Sequence, residues 1–229
     1  MAEEKTIAFV LYPGLTVLDL VGPLQVLTDV PGYRTVVVAE RLDTWETDTS
    51  LRVTASHTFA EVPDPSVVIV PGGGAPTLRA LADETLIGYL RDVGGRAEVV
   101  GSVCTGSLVL GAADLLKGRQ ATTHWSMLDR LTAFDATPVR KRWVEDGPVI
   151  TAAGVSAGID MALHLLTRLA GADYARLAQY ILEYDPEPPL GRLDWTKAPH
   201  DFFAPFVEQW LQEALGDHPD LHTRLAGPR

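Results

Sequence analysis

Short, nearly continuous apolar runs constrain this chain most. Each is stopped by a glycine- or proline-rich turn and followed by a helical pattern. The first run covers 5–11, ends at Tyr12-Pro13-Gly14, and precedes helical periodicity over 17–30. Residues 34–39 are β-branched and read as a second strand; 66–70 read as a third, closed by Pro71-Gly72-Gly73-Gly74. Residues 98–103 form a further run, and 108–113 beyond it read as helix. Strands that are apolar from end to end are buried on both faces, and alternation with helices sets them side by side in parallel. The pattern predicts an α/β fold with a mostly parallel central sheet covered on both faces.

The remaining elements follow the same signals. Residues 51–53 and the region around Thr58-Phe59 predict a small hairpin, and 75–82 and 84–94 predict helices. Residues 121–123 form a short strand candidate, 124–133 a helix, and 139–144 with 149–152 two strands joined by Glu145-Asp146-Gly147-Pro148. A helix over 156–170 has Ser156 as its N-cap, and another runs over 172–182. Residues 186–200 are proline-rich and extended; 201–215 form an amphipathic helix anchored by Phe202, Phe206, Trp210 and Leu211, packed on the domain or across a dimer interface. The last residues, 224–229, are expected to be loose. With 229 residues and no internal repeat or linker, the chain suits one α/β domain over 1–229, with about 190–229 as a C-terminal extension.

Composition limits the function classes. The net charge of −11 disfavours nucleic acid, which needs clustered Lys and Arg. The single basic cluster, Arg140-Lys141-Arg142, reads as a solvated strand or turn. No run approaches the about 18 apolar residues of a membrane span, and the acidic start is not a signal peptide. One cysteine forms no internal disulfide, which fits a reducing cytoplasm. No His/Cys/Asp spacing resembles a metal site, and neither a P-loop nor a Gly-x-Gly-x-x-Gly is present, so no metal and no nucleotide cofactor is expected.

That one cysteine, Cys104, lies in Ser102-Val103-Cys104-Thr105-Gly106-Ser107, between a strand and a helix. A nucleophile on such a turn stands at the carboxyl edge of a sheet, and the amides opening the next helix favour its thiolate. The alternative is a buried structural cysteine. Ligands of open parallel sheets bind outside the carboxyl ends of strands, so the loops carrying Asp19, Gly72-Gly73-Gly74 and Cys104 can converge on one pocket. Asp19 is either a first-turn dipole partner or a general acid/base beside Cys104. Gly72 and Gly73 either make a tight turn or offer amides to an oxyanion, with the Thr105 amide as a second donor. His124 reads first as a half-buried residue at a helix start, with a triad base as the functional alternative. Trp125 beside it is a candidate for lining the pocket.

Together these residues resemble the ThiJ/PfpI superfamily: Phe9 to Leu11 with Pro13-Gly14, Leu18-Asp19 with Gly22-Pro23, Val68 to Gly74, Ser102 to Ala113, Ala121 to Trp125, and Gly154 to Leu163. Within it, the Cys104 and His124-Trp125 segments are similar to the bacterial isocyanide hydratases. The resemblance implies a flavodoxin-like sandwich, a homodimer, Cys104 as nucleophile with Asp19 as acidic partner, Thr105 as the residue after the nucleophile, and Gly72-Gly73 as the oxyanion-pocket loop. PfpI-type proteases carry histidine directly after the cysteine where this chain has Thr105, which speaks against peptidase activity. AraC-type regulators share the Gly154 to Asp160 stretch but add a helix-turn-helix domain for which 229 residues leave no room. The implied reaction adds water to an isocyanide, R–N≡C, giving an N-substituted formamide. Cys104 thiolate attacks the terminal carbon, Asp19 in its acid form supplies the proton, and a thioimidate results. A cofactor-free glyoxalase or deglycase, and a non-enzymatic cysteine redox sensor or chaperone, remain alternatives.

Overall fold

The computed structural model describes residues 4–226. In chain order it contains β1 (Lys5–Val10), α1 (Val17–Leu27), β2 (Tyr33–Ala39), β3 (Thr44–Glu46), β4 (Arg52–Thr54), β5 (His57–Thr58), β6 (Val67–Val70), α2 (Ala75–Ala80) and α3 (Glu84–Gly94). There follow β7 (Val99–Ser102), α4 (Gly106–Ala112), β8 (Gln120–Ala121), β9 (Thr137–Pro138), β10 (Trp143–Asp146), β11 (Val149–Ala152), α5 (Ala157–Ala170), α6 (Ala172–Ile181), α7 (His200–Leu215) and α8 (Pro219–Ala226). Seven strands form one sheet in the order β10-β11-β7-β6-β1-β2-β5. Every neighbouring pair is parallel except β10 with β11.

The centre of the sheet is its most apolar part. All four residues of β6 are buried, as are all of β7 and β11. Burial on both faces requires helices on both, and the strand order supplies them. From β1 the chain steps one way to β2; from β6 it steps the other way to β7. With right-handed crossovers, α1 and α3 therefore cover opposite faces. On one side α1 packs on α5 and α5 on α6; on the other, α2 packs on α4 and α7, and α7 on α8. The direction reverses between β1 and β6, which opens a crevice at their carboxyl ends. The loops after β1, β6 and β7 all reach that crevice.

Four expectations are corrected. The hairpin pairs β3 with β4, whereas Thr58 belongs to β5 and lies parallel to β2 in the main sheet. Ser156 makes no side-chain cap to α5; its hydroxyl accepts instead from Arg142 Nη2 at 3.3 Å. In α7 the buried residues are Val207, Leu211, Ala214 and Leu215, while Phe202 is 70% exposed and Phe206 43%. A helix, α8, occupies part of the stretch expected to be loose and runs to Ala226; residues 227–229 lie outside the described ones.

Candidate active site

Cys104 sits one residue past Val103, whose amide still bonds the Val70 carbonyl at 3.0 Å and so ties the turn to β6. Its backbone is left-handed, with φ +55°, a conformation that costs a non-glycine residue about 1–3 kcal/mol and persists only where the surroundings impose it. Three segments impose it. The Cys104 amide donates to the Ala152 and Ala153 carbonyls at 3.1 and 3.0 Å. Its carbonyl accepts from Thr123 Oγ1 at 2.9 Å and Ser107 Oγ at 3.3 Å. The turn then enters α4 through Thr105 and Gly106. A side chain at Gly106 would strike the Val70 and Pro71 carbonyls, so only glycine lets α4 start this close to β6.

Asp19 reaches the same place from the first turn of α1. It is completely buried, and its Oδ2 accepts the Gly72 amide at 2.9 Å. The Gly72 carbonyl in turn accepts the Thr16 amide at 2.8 Å, so the peptide of Gly72 is held at both ends by the α1 entry. Oδ1 of Asp19 is buried with no hydrogen-bond partner. Burial raises the carboxyl to about 7; the Gly72 amide opposes this, the Asp48 charge adds to it, and the neighbouring Cys104 thiol opposes it again.

The thiol does not follow the helix-amide expectation. Burial pushes the Cys104 thiol strongly up, and the neighbouring Asp19 charge pushes it further. The Val155 amide, the Thr105 amide and the Thr105 hydroxyl pull the other way without overcoming the burial. The resting form is a thiol beside a carboxyl group that is half-ionised near neutrality.

The glycine loop is also redirected. The Gly72 amide is engaged by Asp19, and the Gly73 amide donates to Thr105 Oγ1 at 2.8 Å. Through these two bonds the loop positions the side chains of Asp19 and Thr105. Of the expected donors, the Thr105 amide is the one that lowers the thiol pKa, joined by that of Val155.

His124 stands beside this group and is not bonded into it. It caps the 3-10 helix Trp125–Phe134, and its Nδ1 lies 2.7 Å from Ser126 Oγ. Its ring packs against Trp125 and Phe203, and burial lowers its pKa, so it stays neutral. Trp125 borders a cavity of about 230 Å³ together with Thr123, Leu128, Ala153, Gly154 and Trp195. Neither Cys104 nor Asp19 lines it, but Thr123 and Ala153 form a wall that it shares with the Cys104 backbone.

Sequence reasoning missed the supports of the site. Tyr12, expected only to end β1, is buried; its hydroxyl donates to the Pro71 carbonyl at 2.7 Å and lies 2.9 Å from Thr77 Oγ1. Burial holds it as the neutral phenol. A lone Tyr before Pro-Gly carries no sign of that role. Thr123 and Val155 were given no individual role, although they lie inside the segments Ala121 to Trp125 and Gly154 to Leu163 already singled out. Among the described residues no cluster of His, Cys, Asp and Glu is suited to a metal ion, and no helix is long and apolar enough to cross a membrane.

The chain is similar to several known proteins. It is 44% identical over 184 residues to the isonitrile hydratase of Pseudomonas putida, covering 80% of each chain. A crystal structure of a ThiJ/PfpI family protein from Pseudomonas syringae superposes with a TM-score of 0.86 at 38% identity, over 98% of this chain and 91% of that one. The transcriptional regulator CdhR of Pseudomonas aeruginosa is 31% identical over 174 residues, 73% of this chain; the chain spans about half of that regulator, 51%. The model of the DJ-1/PfpI family matches residues 5–168, from β1 into α5 and across every loop of the Cys104–Asp19 site, and the chain belongs to that family.

Proposed function

We propose that this protein is an isocyanide hydratase, a hydro-lyase converting R–N≡C and water into R–NH–CHO, with Cys104 as nucleophile on an elbow turn and Asp19 as general acid/base. The observation that carries this reading is the buried Asp19–Cys104 pair: a carboxyl raised to about 7, with Oδ1 buried and unpartnered, beside a buried thiol. The similarity to the P. putida isonitrile hydratase supplies the substrate class.

The pair shares one proton above about pH 7. As Sγ bonds to the terminal carbon of the isocyanide, the thiol proton passes to Asp19 and from Asp19 to that carbon, giving the thioimidate R–N=CH–S–Cys104. A water molecule then gives its proton to Asp19 and its hydroxide to the same carbon, while the proton moves on to nitrogen. Collapse breaks the C–S bond, releases the formamide, and returns the hydroxyl proton to sulfur through Asp19. Covalent catalysis divides one difficult addition into two easier ones. The Thr105 and Val155 amides stabilise the sulfur whenever it carries charge.

The burial and raised pKa of Cys104 disfavour the redox-sensor alternative, whose cysteines are exposed and acidic. Formamide formation from phenyl isocyanide, measured for wild type and Cys104→Ala, tests the reading. Turnover lost in the variant supports it. Absence of turnover in wild type, with lactate formed from methylglyoxal, replaces it by the glyoxalase alternative.

A further inference from the structure

The cavity beside Cys104 has a charge asymmetry that hydration of an isocyanide does not use. The chain carries 30 acidic and 19 basic residues, yet three consecutive cations, Arg140, Lys141 and Arg142, line this cavity and no carboxylate does. Arg142 is paired with Asp160 at 2.5 Å. Arg140 and Lys141 form no ion pair among the described residues, where thirteen pairs otherwise occupy much of the surface charge. The Lys141 carbonyl accepts from the Thr122 hydroxyl at 3.2 Å, which fastens the cationic turn to the cavity wall. The other side of the cavity is apolar, formed by Trp125, Leu128, Leu193 and Trp195.

Two indoles and two leucines select a flat or branched hydrocarbon body. Two unpaired cations at the rim select an anion, and a guanidinium matches a carboxylate through two parallel hydrogen bonds. The volume, about 230 Å³, lies below the about 300–1,000 Å³ usual for drug-sized ligands, so the occupant is small. We propose that this cavity takes a small carboxylate with an aromatic or branched apolar body, and that the substrate is accordingly an isocyano carboxylate, released as the N-formyl amino carboxylate. The isocyano end rests on the hydratase reading; the carboxylate end rests on the cavity alone.

The test compares potassium 2-isocyano-3-phenylpropanoate with its methyl ester, which keeps the shape and removes the charge. Wild type is expected to favour the carboxylate about fivefold in kcat/KM, the scale of solvent-accessible ion pairs, and to lose the preference in 0.5 M salt. In the Arg140→Gln/Lys141→Gln double variant the ratio is expected to fall to about one. Both side chains are exposed and the Thr122 bond uses the backbone of Lys141, so the fold does not depend on them. Equal kcat/KM for the two compounds in wild type overturns the inference and leaves the hydratase reading standing.

A binding experiment separates the two claims. N-formylphenylalanine and its amide are titrated into Cys104→Ala while Trp125 and Trp195 fluorescence is followed. If wild type turns over neither isocyanide but this protein prefers the carboxylate, the anion site stands and the hydratase reading fails. If it shows no preference, the inference is overturned.

Discussion

Thr105 and Gly73 grip each other through a single hydroxyl: the Gly73 amide donates to Thr105 Oγ1 at 2.8 Å, and that hydroxyl donates to the Gly73 carbonyl at 2.6 Å. Both backbone polar groups of one residue are thus satisfied by one buried side chain. The clamp joins the loop after β6, which holds Asp19, to the turn that holds Cys104. Thr105→Val keeps the shape and strands both peptide groups. It is expected to cost about 1–3 kcal/mol in unfolding free energy, read by denaturant titration, together with a loss of turnover.

Gly72 is fixed by its neighbours. A Cβ there would lie 2.5 Å from the Thr105 amide nitrogen and 2.7 Å from that of Gly106, both backbone atoms that cannot swing aside. Gly72→Ala is expected to destabilise by about 1–3 kcal/mol and to move the amide that holds Asp19. Thermal unfolding and formamide turnover should both fall; a variant with full turnover would remove the loop from the account.

Asp19→Asn keeps the size of the side chain and removes the proton relay. Turnover is expected to drop by about 10²–10⁴-fold, the usual contribution of acid–base help. Stability should respond in the opposite sense. The Asp19 pKa is raised from 3.8 to about 7, so the folded state holds a proton that the unfolded chain releases over that interval. The resulting stability is fully present below pH 3.8 and is lost as pH rises through about 7. The burial penalty at higher pH is on the order of 4 kcal/mol. Denaturant titrations at pH 5 and pH 8 should therefore show a loss in wild type that is much reduced in Asp19→Asn.

The pH–rate profile follows from the shared proton. The reactive form of the pair has lost one proton and kept one. Since the first leaves near pH 7 and the second is held strongly, kcat/KM should rise through about 7 and level off above it. A profile that falls through pH 7 would mean that the doubly protonated pair is the active form.

Much of the fold was legible because burial on both faces leaves a visible mark: β6 is an unbroken apolar run and β7 pairs two valines with small residues, and both are followed by glycine-containing turns. Of the β3–β4 hairpin only the β4 arm was marked, since β3 has only Trp45 as a buried residue between two exposed polar ones. The face of α7 was misread in part: Leu211 is buried and Trp210 packs half-buried on the core as expected, whereas Phe202 and Phe206 are exposed. Phe202, Phe206 and Trp210 form one four-residue series and Phe203, Val207 and Leu211 the next, about 100° away around the helix. Both series are apolar, and only the surface presented by α2 and α8 decides that the second is buried.

At the site, sequence marked the three loops and their residues, since glycine and small side chains crowd wherever backbones approach closely. It did not mark the direction of any amide. Whether Gly72 points at a reacting atom or at Asp19 depends on the entry of α1, 53 residues away in sequence. The same holds for the thiol. The helix start at Thr105 is local and argues for a thiolate, whereas the burial that dominates Cys104 comes from α1, the loop after β6 and the turn before α5.

The most direct measurement is mass spectrometry of wild-type protein acid-quenched during turnover of an aryl isocyanide. The account predicts an adduct equal in mass to one substrate molecule, confined to the peptide containing Cys104 and absent once substrate is exhausted. Steady formamide production with no adduct at any quench time, and with turnover retained in Cys104→Ala, would contradict covalent catalysis by this pair.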